Sequence, residues 1–268
     1  FADAGGSKLN RAQYSISSNP VLADGGVKGW TDIAVSISSN GYNQNWAVDF
    51  ATEQAGVNYV SVRVYDYAGN YAQQNDIFAV SKDTISPVIT DNQAGDNVWR
   101  NAAGTLYNVD FADALSGLTT AQYRVTSQSG QAGAVFKDWT DIYSITAGTA
   151  AYTDDWLVDF AALQEWATGY VSVRAYDLVG KLSVSTDVFH VWKDTTPPAA
   201  SVAVFSVSSR TLTLSGSGSD LSSGVRDYHF EISPADDFSS DVSSNAYAAS
   251  DTAVFADMPE AVVYYGRL

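Results

Sequence analysis

The chain has 268 residues, no cysteine, 30 acidic against 14 basic residues and a formal net charge of −16. The lack of cysteine excludes disulfides and thiolate metal sites, and the acidic balance excludes nucleic acid as a partner, because phosphate binding needs a basic face. No stretch approaches the ~20 apolar residues of a membrane span, and no signal-peptide pattern stands at Phe1, so the expectation is that any export signal has already been removed or lies outside this segment.

In chain order, Ala12-Gln-Tyr14 and Trp30-Thr-Asp-Ile33 are strand-like, and Asn40-Gly41 is a hairpin signal. The acidic, Ala-rich stretch Asp49 to Gly56 fits one helical turn between strands. Tyr59-Val-Ser-Val-Arg63 alternates apolar and polar residues, as a half-buried strand does. Lys82-Asp-Thr-Ile-Ser-Pro87 then reads as a short, stiff linker, since proline removes a donor and holds its predecessor extended. Leu106 to Phe111 and Ala121 to Val125 are further strands. Asp159 to Thr168 again fits one helical turn. Tyr170 to Tyr176 alternates, Asp177-Leu-Val-Gly180 turns, and Ser185 to Trp192 is the next strand, followed by the linker Lys193-Asp-Thr-Thr-Pro-Pro198.

The same words recur at a fixed distance. Trp30-Thr-Asp-Ile33 returns as Trp139-Thr-Asp-Ile142, an offset of 109, and Tyr59 to Arg63 returns as Tyr170 to Arg174, an offset of 111. Ala12-Gln-Tyr14, Val48-Asp-Phe50 and Lys82-Asp-Thr84 recur as Ala121-Gln-Tyr123, Val158-Asp-Phe160 and Lys193-Asp-Thr195. The period is one small domain, and the linkers divide the chain into units 1–87, 88–198 and 199–268. Short strands with turn residues between them and little helical periodicity predict an all-β chain of tandem antiparallel β-sandwiches. Phe1-Ala-Asp3 matches Phe111-Ala-Asp113, so the first unit lacks its first strand or strands. The third carries Ser219-Asp-Leu-Ser-Ser-Gly-Val225 where the second has Ala112-Asp-Ala-Leu-Ser-Gly-Leu118, and it stops inside the strand equivalent to Tyr170 to Arg174. The expectation is a segment of a longer polypeptide. The alternative is pairing of the exposed strands near Phe1 and Leu268 with neighbouring copies in a filament.

Val62-Arg-Val-Tyr-Asp-Tyr-Ala-Gly-Asn70, a following strand, and Lys-Asp-Thr-Thr-Pro-Pro198 resemble the bacterial immunoglobulin-like repeats of large secreted and surface proteins. These are relatives of fibronectin type III and cadherin-like sandwiches. Unit 2 departs from the pattern at Lys181, which stands where Asn70 does, and unit 3 has no Trp. The resemblance implies an extracellular or cell-surface stalk or adhesion module, with other copies or further repeats of the same protein, or surface glycans and proteins, as partners.

Reactive constellations are not evident. His190 and His229 fall on expected strands in different units without a partner at metal or triad spacing, and no nucleophile elbow, phosphate loop or zinc helix occurs. The expectation is therefore a non-enzymatic structural or adhesive segment. The alternative, a carbohydrate-binding accessory region, rests on the seven tryptophans. Rings recurring in the repeat, Trp30 with Trp139 and Trp46 with Trp156, read as packing. Trp99 and Trp166 have no counterpart in unit 1 and are the candidate sugar-stacking rings.

In such a sandwich the loop between the second and third strands and the last hairpin lie at the end where the preceding domain attaches. The loop carries Asp3, Asp113 and Asp220, the hairpin Asp66 and Asp177, and the linkers Asp83 and Asp194. Folding should gather Asp83, Asp113 and Asp177 at the first junction, and Asp194 with Asp220 at the second. Three carboxylates with backbone carbonyls suit Ca²⁺, which takes about 6–8 oxygen ligands, better than Mg²⁺ with its rigid octahedron. The competing reading is that these aspartates only make Asx-turns.

Overall fold

The computed structural model describes residues 1–22, 26–93 and 95–268, without the side chain of Ala203. The chain is all-β. Strands β1 (Leu9–Ser17), β2 (Lys28–Ser39), β3 (Gly56–Asp66) and β4 (Tyr71–Lys82) form one antiparallel sheet in the order β2-β1-β3-β4. Ile16, Val60 and Tyr14 project from its inner face and are buried, covered by Trp46 and Val48 from the loop after β2.

The next sheets use β5 (Val88–Asp91), β6 (Trp99–Arg100), β7 (Leu106–Tyr107), β8 (Val109–Ala112), β9 (Leu118–Gln128), β10 (Ala132–Thr149), β11 (Ala151–Tyr152), β12 (Trp156–Leu157), β13 (Thr168–Asp177) and β14 (Leu182–Lys193). A five-stranded sheet in the order β10-β9-β13-β14-β6 faces two small sheets, β11-β8-β5 and β12-β7. Between them Val109, Phe111, Leu118, Val125, Val171 and Val173 are wholly buried. Alternate residues of antiparallel strands point to opposite faces, so these inward positions make a sandwich core about 10 Å thick.

The remaining strands, β15 (Ala199–Ser208), β16 (Thr211–Ser219), β17 (Glu231–Ser233), β18 (Ser243–Ser244), β19 (Thr252–Phe255) and β20 (Tyr265–Arg267), form the sheets β15-β16-β19 and β18-β17-β20. Leu214, Phe230 and Ile232 are the centre of their core.

The repeat survives as geometry. Trp46 packs on Tyr14 at 5.3 Å and Trp156 on Tyr123 at 5.4 Å, both tilted by 31°. Arg63 lies over Trp30 and Arg174 over Trp139, both at 4.3 Å. The two predicted helical turns are 3₁₀ turns at Phe50–Thr52 and Phe160–Ala162. One packing difference is large. Phe189 is 3% exposed because Tyr107 of β7 stacks on it at 4.2 Å, whereas Phe78, its equivalent in the first sheet, is 40% exposed.

Three local expectations are corrected. Asn40-Gly41 does not reverse the chain into a second strand. Gly41 bridges Ala2, and Tyr42 N–H donates to the Phe1 carbonyl, so the segment pairs with the start of the chain. Leu106 to Phe111 is not one strand, because it breaks at Asn108 and passes from β7 in one small sheet to β8 in the other. His229 lies beside an isolated bridge instead of in a strand, with its ring stacked on Tyr247 at 4.4 Å.

Candidate metal-binding junction

The aspartates of the first junction sit on three elements far apart in sequence. Asp113 follows β8 and opens a tight turn in which its Oδ1 accepts from Leu115 N at 3.2 Å and Gly117 N at 2.8 Å. Gly117 has φ +90°, and a Cβ there would stand 3.1 Å from the Thr149 nitrogen, so the turn requires glycine. Asp177 ends β13 and caps the hairpin to β14, its Oδ1 accepting from Lys181 N at 2.7 Å. Leu178 N–H donates to the Gly117 carbonyl at 2.9 Å, which fixes the hairpin against the Asp113 turn. Asp83 comes from the linker. Its Oδ1 accepts from Ile85 N and its Oδ2 from Ser116 N, both at 2.9 Å, so the linker is clasped to the same turn.

Each of the three residues offers one carboxylate oxygen, and these oxygens lie within 4.8 Å of one another. Asp113 and Asp177 are buried and Asp83 is half-buried. Asp177 Oδ2 is buried with no hydrogen-bond partner among the described residues. A buried carboxylate oxygen left unpaired is costly, and a cation removes that cost. The donor set is oxygen only, without histidine, which suits a hard cation such as Ca²⁺. Burial pushes the Asp83 carboxyl up, but hydrogen bonding by Ser116, with that of the Ile85 N–H, outweighs it and holds the group below its ordinary range.

The second junction repeats part of this arrangement. Asp194 Oδ1 accepts from Thr196 N and its Oδ2 from Ser223 N, both at 3.1 Å. Asp220 Oδ1 accepts from Ser222 N at 2.9 Å and Gly224 N at 3.0 Å. Hydrogen bonds from Ser222 and Ser223 hold the Asp194 carboxyl down to about 2. Asp83, Asp113 and Asp177 are the only such group of three among the described residues, so Asp194 and Asp220 share a turn without a third carboxylate. Around Asp3 and Asp66 a hydroxyl stands in: Ser7 Oγ lies 3.3 Å from Asp3 Oδ2 and 2.9 Å from Asp66 Oδ2.

No protein-family model matches this sequence, and no curated protein matches it. Among solved structures the chain is similar to a tetra-tandem repeat in the extending region of a large adhesion protein, with a TM-score of 0.34 and 17% identity. That similarity covers 94% of this chain, which spans 60% of the other. It is also similar to the FN1–FN3 domains of chicken CNTN1, with a TM-score of 0.26, 13% identity, and coverage of 98% of this chain and 84% of that one.

The candidate sugar-stacking rings are placed differently. Trp166 is 56% exposed and its ring contacts no other aromatic ring among the described residues, whereas Trp99 is half-buried, its ring 5.3 Å from that of Trp192. Sequence reasoning missed the other clasps of the linkers. Ser183 Oγ donates to the Pro87 carbonyl, and Glu165 accepts from the backbone N–H and the hydroxyl of Thr195 at 2.8 and 2.6 Å. Ser116, which holds Asp83, was legible as a repeat of Ser223. Glu165 had no such signal, since nothing equivalent stands in unit 1. No helix among the described residues is long and apolar enough to cross a membrane.

Proposed function

We propose that this chain is a non-enzymatic structural or adhesive repeat segment of a larger protein, working outside the cell at a bacterial surface or in a fibre. Units 1–87, 88–198 and 199–268 are its spacers. A Ca²⁺ ion held by Asp83, Asp113 and Asp177 sets the angle between the first two. The observation that carries this reading is the convergence of a linker, a turn and a hairpin on one point, with a buried oxygen of Asp177 unpaired there among the described residues.

Interfaces between tandem domains are small, so hinge motion is their default. Three carboxylates in one place repel and open that hinge. A divalent ion reverses the interaction and joins the linker to unit 2, which turns a jointed chain into a stiffer rod. Modules of this kind bind calcium at ~10⁻⁴–10⁻³ M, so the device operates in extracellular fluid and is inert at cytosolic levels. The test is thermal melting with small-angle scattering, in chelator and in millimolar Ca²⁺, on the parent chain and on Asp113→Ala. Calcium is expected to raise the melting temperature and the maximum dimension of the parent alone. No response of either quantity in the parent overturns the metal reading.

A further inference from the structure

The inward residues of β4 and β14 are the same in the two units: Phe78 and Val80 correspond to Phe189 and Val191. The outward residues between and beyond them are not. Ala79 and Ser81 in β4 are replaced by His190 and Trp192 in β14. The fold is made twice, therefore, and only once with these rings. They continue on both sides across the outer face of the sheet. Tyr170 on β13 lies 6.4 Å from His190, His190 lies 5.3 Å from Trp192, and Trp192 lies 5.3 Å from Trp99 on β6. All four side chains are partly exposed. Backbone bonds hold β6 without help from the rings, through parallel pairing with β14 and through Asp194 N–H to the Arg100 carbonyl at 2.9 Å.

The strip ends in a cavity. Trp99 lines a cleft of about 740 Å³ at the second junction, whose other wall comes from unit 3 and includes Tyr247, 70% exposed with one face on His229. Arg100 and Asn101 on one side, and Arg226 with Asp227 on the other, line the same cleft. We infer that the strip Tyr170–His190–Trp192–Trp99 and the cleft it enters form a binding site for an uncharged glycan chain. A sugar ring has an apolar face that stacks on an aromatic ring and a rim of hydroxyls that both donate and accept. The site supplies both complements: a row of aromatic rings, each tilted by 36–50° from the next, and guanidinium, amide and carboxylate groups along the cleft it enters. The net charge of −16 disfavours sulfated and uronic-acid chains. A proline-rich peptide uses aromatic-lined grooves as well, but its backbone has few donors to match these charged edges. The site makes no use of Asp83, Asp113 or Asp177, so it stands or falls independently of calcium at the first junction.

The experiment is a printed array of neutral and acidic glycans probed with the whole chain. Calorimetry follows with the soluble hexasaccharide of the class that binds, on the parent and on Trp99→Ala, Tyr247→Ala and Trp166→Ala. Tyr247 is exposed and lies in the other unit, so its variant tests the site through a residue outside β6 and its sheet. The result expected is saturable binding of a neutral glycan, weakened at least tenfold by Tyr247→Ala and Trp99→Ala and unchanged by Trp166→Ala. Binding to no neutral glycan, binding unaffected by Tyr247→Ala, or binding of an immobilised polyproline peptide with no glycan bound would overturn the inference.

Discussion

Replacing Asp177 by asparagine should reverse the sign of its effect on stability when calcium is added. Asparagine keeps the Oδ1 that accepts from Lys181 N, so the hairpin cap survives and the charge alone is removed. At the limiting separation of 4.8 Å, two unit charges repel by about 0.9 kcal/mol at a dielectric of ~80 and about 3.5 kcal/mol at ~20. The substitution removes two of the three pairs. Taking the lower figure, because an opening hinge relieves the rest, the variant gains about 2 kcal/mol in chelator. For a domain of this size each kcal/mol moves the melting temperature by roughly 4–8 °C, so Asp177→Asn should melt higher than the parent by about ten degrees without metal. With about 10 mM Ca²⁺ and a dissociation constant of ~10⁻⁴–10⁻³ M, mass action adds about 1.4–2.7 kcal/mol to the parent. The variant, with one carboxylate fewer and a weaker site, gains little, and the two melting temperatures converge or cross. The assay is differential scanning calorimetry of both proteins in chelator and across a calcium series. A difference between them that is the same at every calcium concentration would refute the reasoning, because a residue acting only as a turn cap has no reason to care about the ion.

Glu53 is 5% exposed with Oε2 unpaired among the described residues, at the position where unit 2 has the buried Leu163, and Glu53→Leu should stabilise unit 1 by about 1 kcal/mol in urea unfolding. Burial holds its folded pKa above the unfolded value, so Glu53 costs stability above the folded pKa, and the advantage of leucine should shrink as the pH falls through it. Asp49 and Asp159 behave oppositely. Lys28 and Lys137, at 2.6 and 2.7 Å, hold them below their ordinary range, so their contribution is complete above about pH 4 and is lost as the pH falls through the folded values. Melting curves between about pH 2 and 6 should show a shallower acid limb for Asp159→Asn than for the parent. Trp156 is 5% exposed, packed on Tyr107, Tyr123 and Phe189, and donates its indole N–H to the Val109 carbonyl. Trp156→Ala should destabilise unit 2 by about 3–5 kcal/mol in the same unfolding assay, and Trp166→Ala by less than about 0.5 kcal/mol.

The all-β class, the repeat and the composition of the first junction were determined by sequence alone. Strand alternation is set by a two-residue period, and the aspartate turns by hydrogen bonds between residues two to four apart, as from Asp113 to Leu115 and Gly117. Such signals are local, so they survive in a string of letters, and the repeat shows them twice. The recurrence of Trp30 and Trp46 in unit 2 likewise marked them as packing rings before any contact was known. Tertiary structure decided what depends on distant partners. Asn40-Gly41 has the letters of a hairpin, yet the strand it would pair with is replaced by the segment at Phe1. Asn108 breaks a run that reads as one strand, because the two small sheets of the sandwich each claim half of it. Trp99 and Trp166 both lack a counterpart in unit 1 and read alike in the sequence, and only the parallel pairing of β6 with β14 places one on Trp192, while the other has no ring contact among the described residues. Whether carboxylates 64 residues apart, Asp113 and Asp177, approach within 4.8 Å or merely share an end of the domain is fixed by how the hairpin locks against the turn, through Leu178 and Gly117. That lock is a long-range backbone hydrogen bond, made by groups every residue carries, which is why no pattern of side chains announces it.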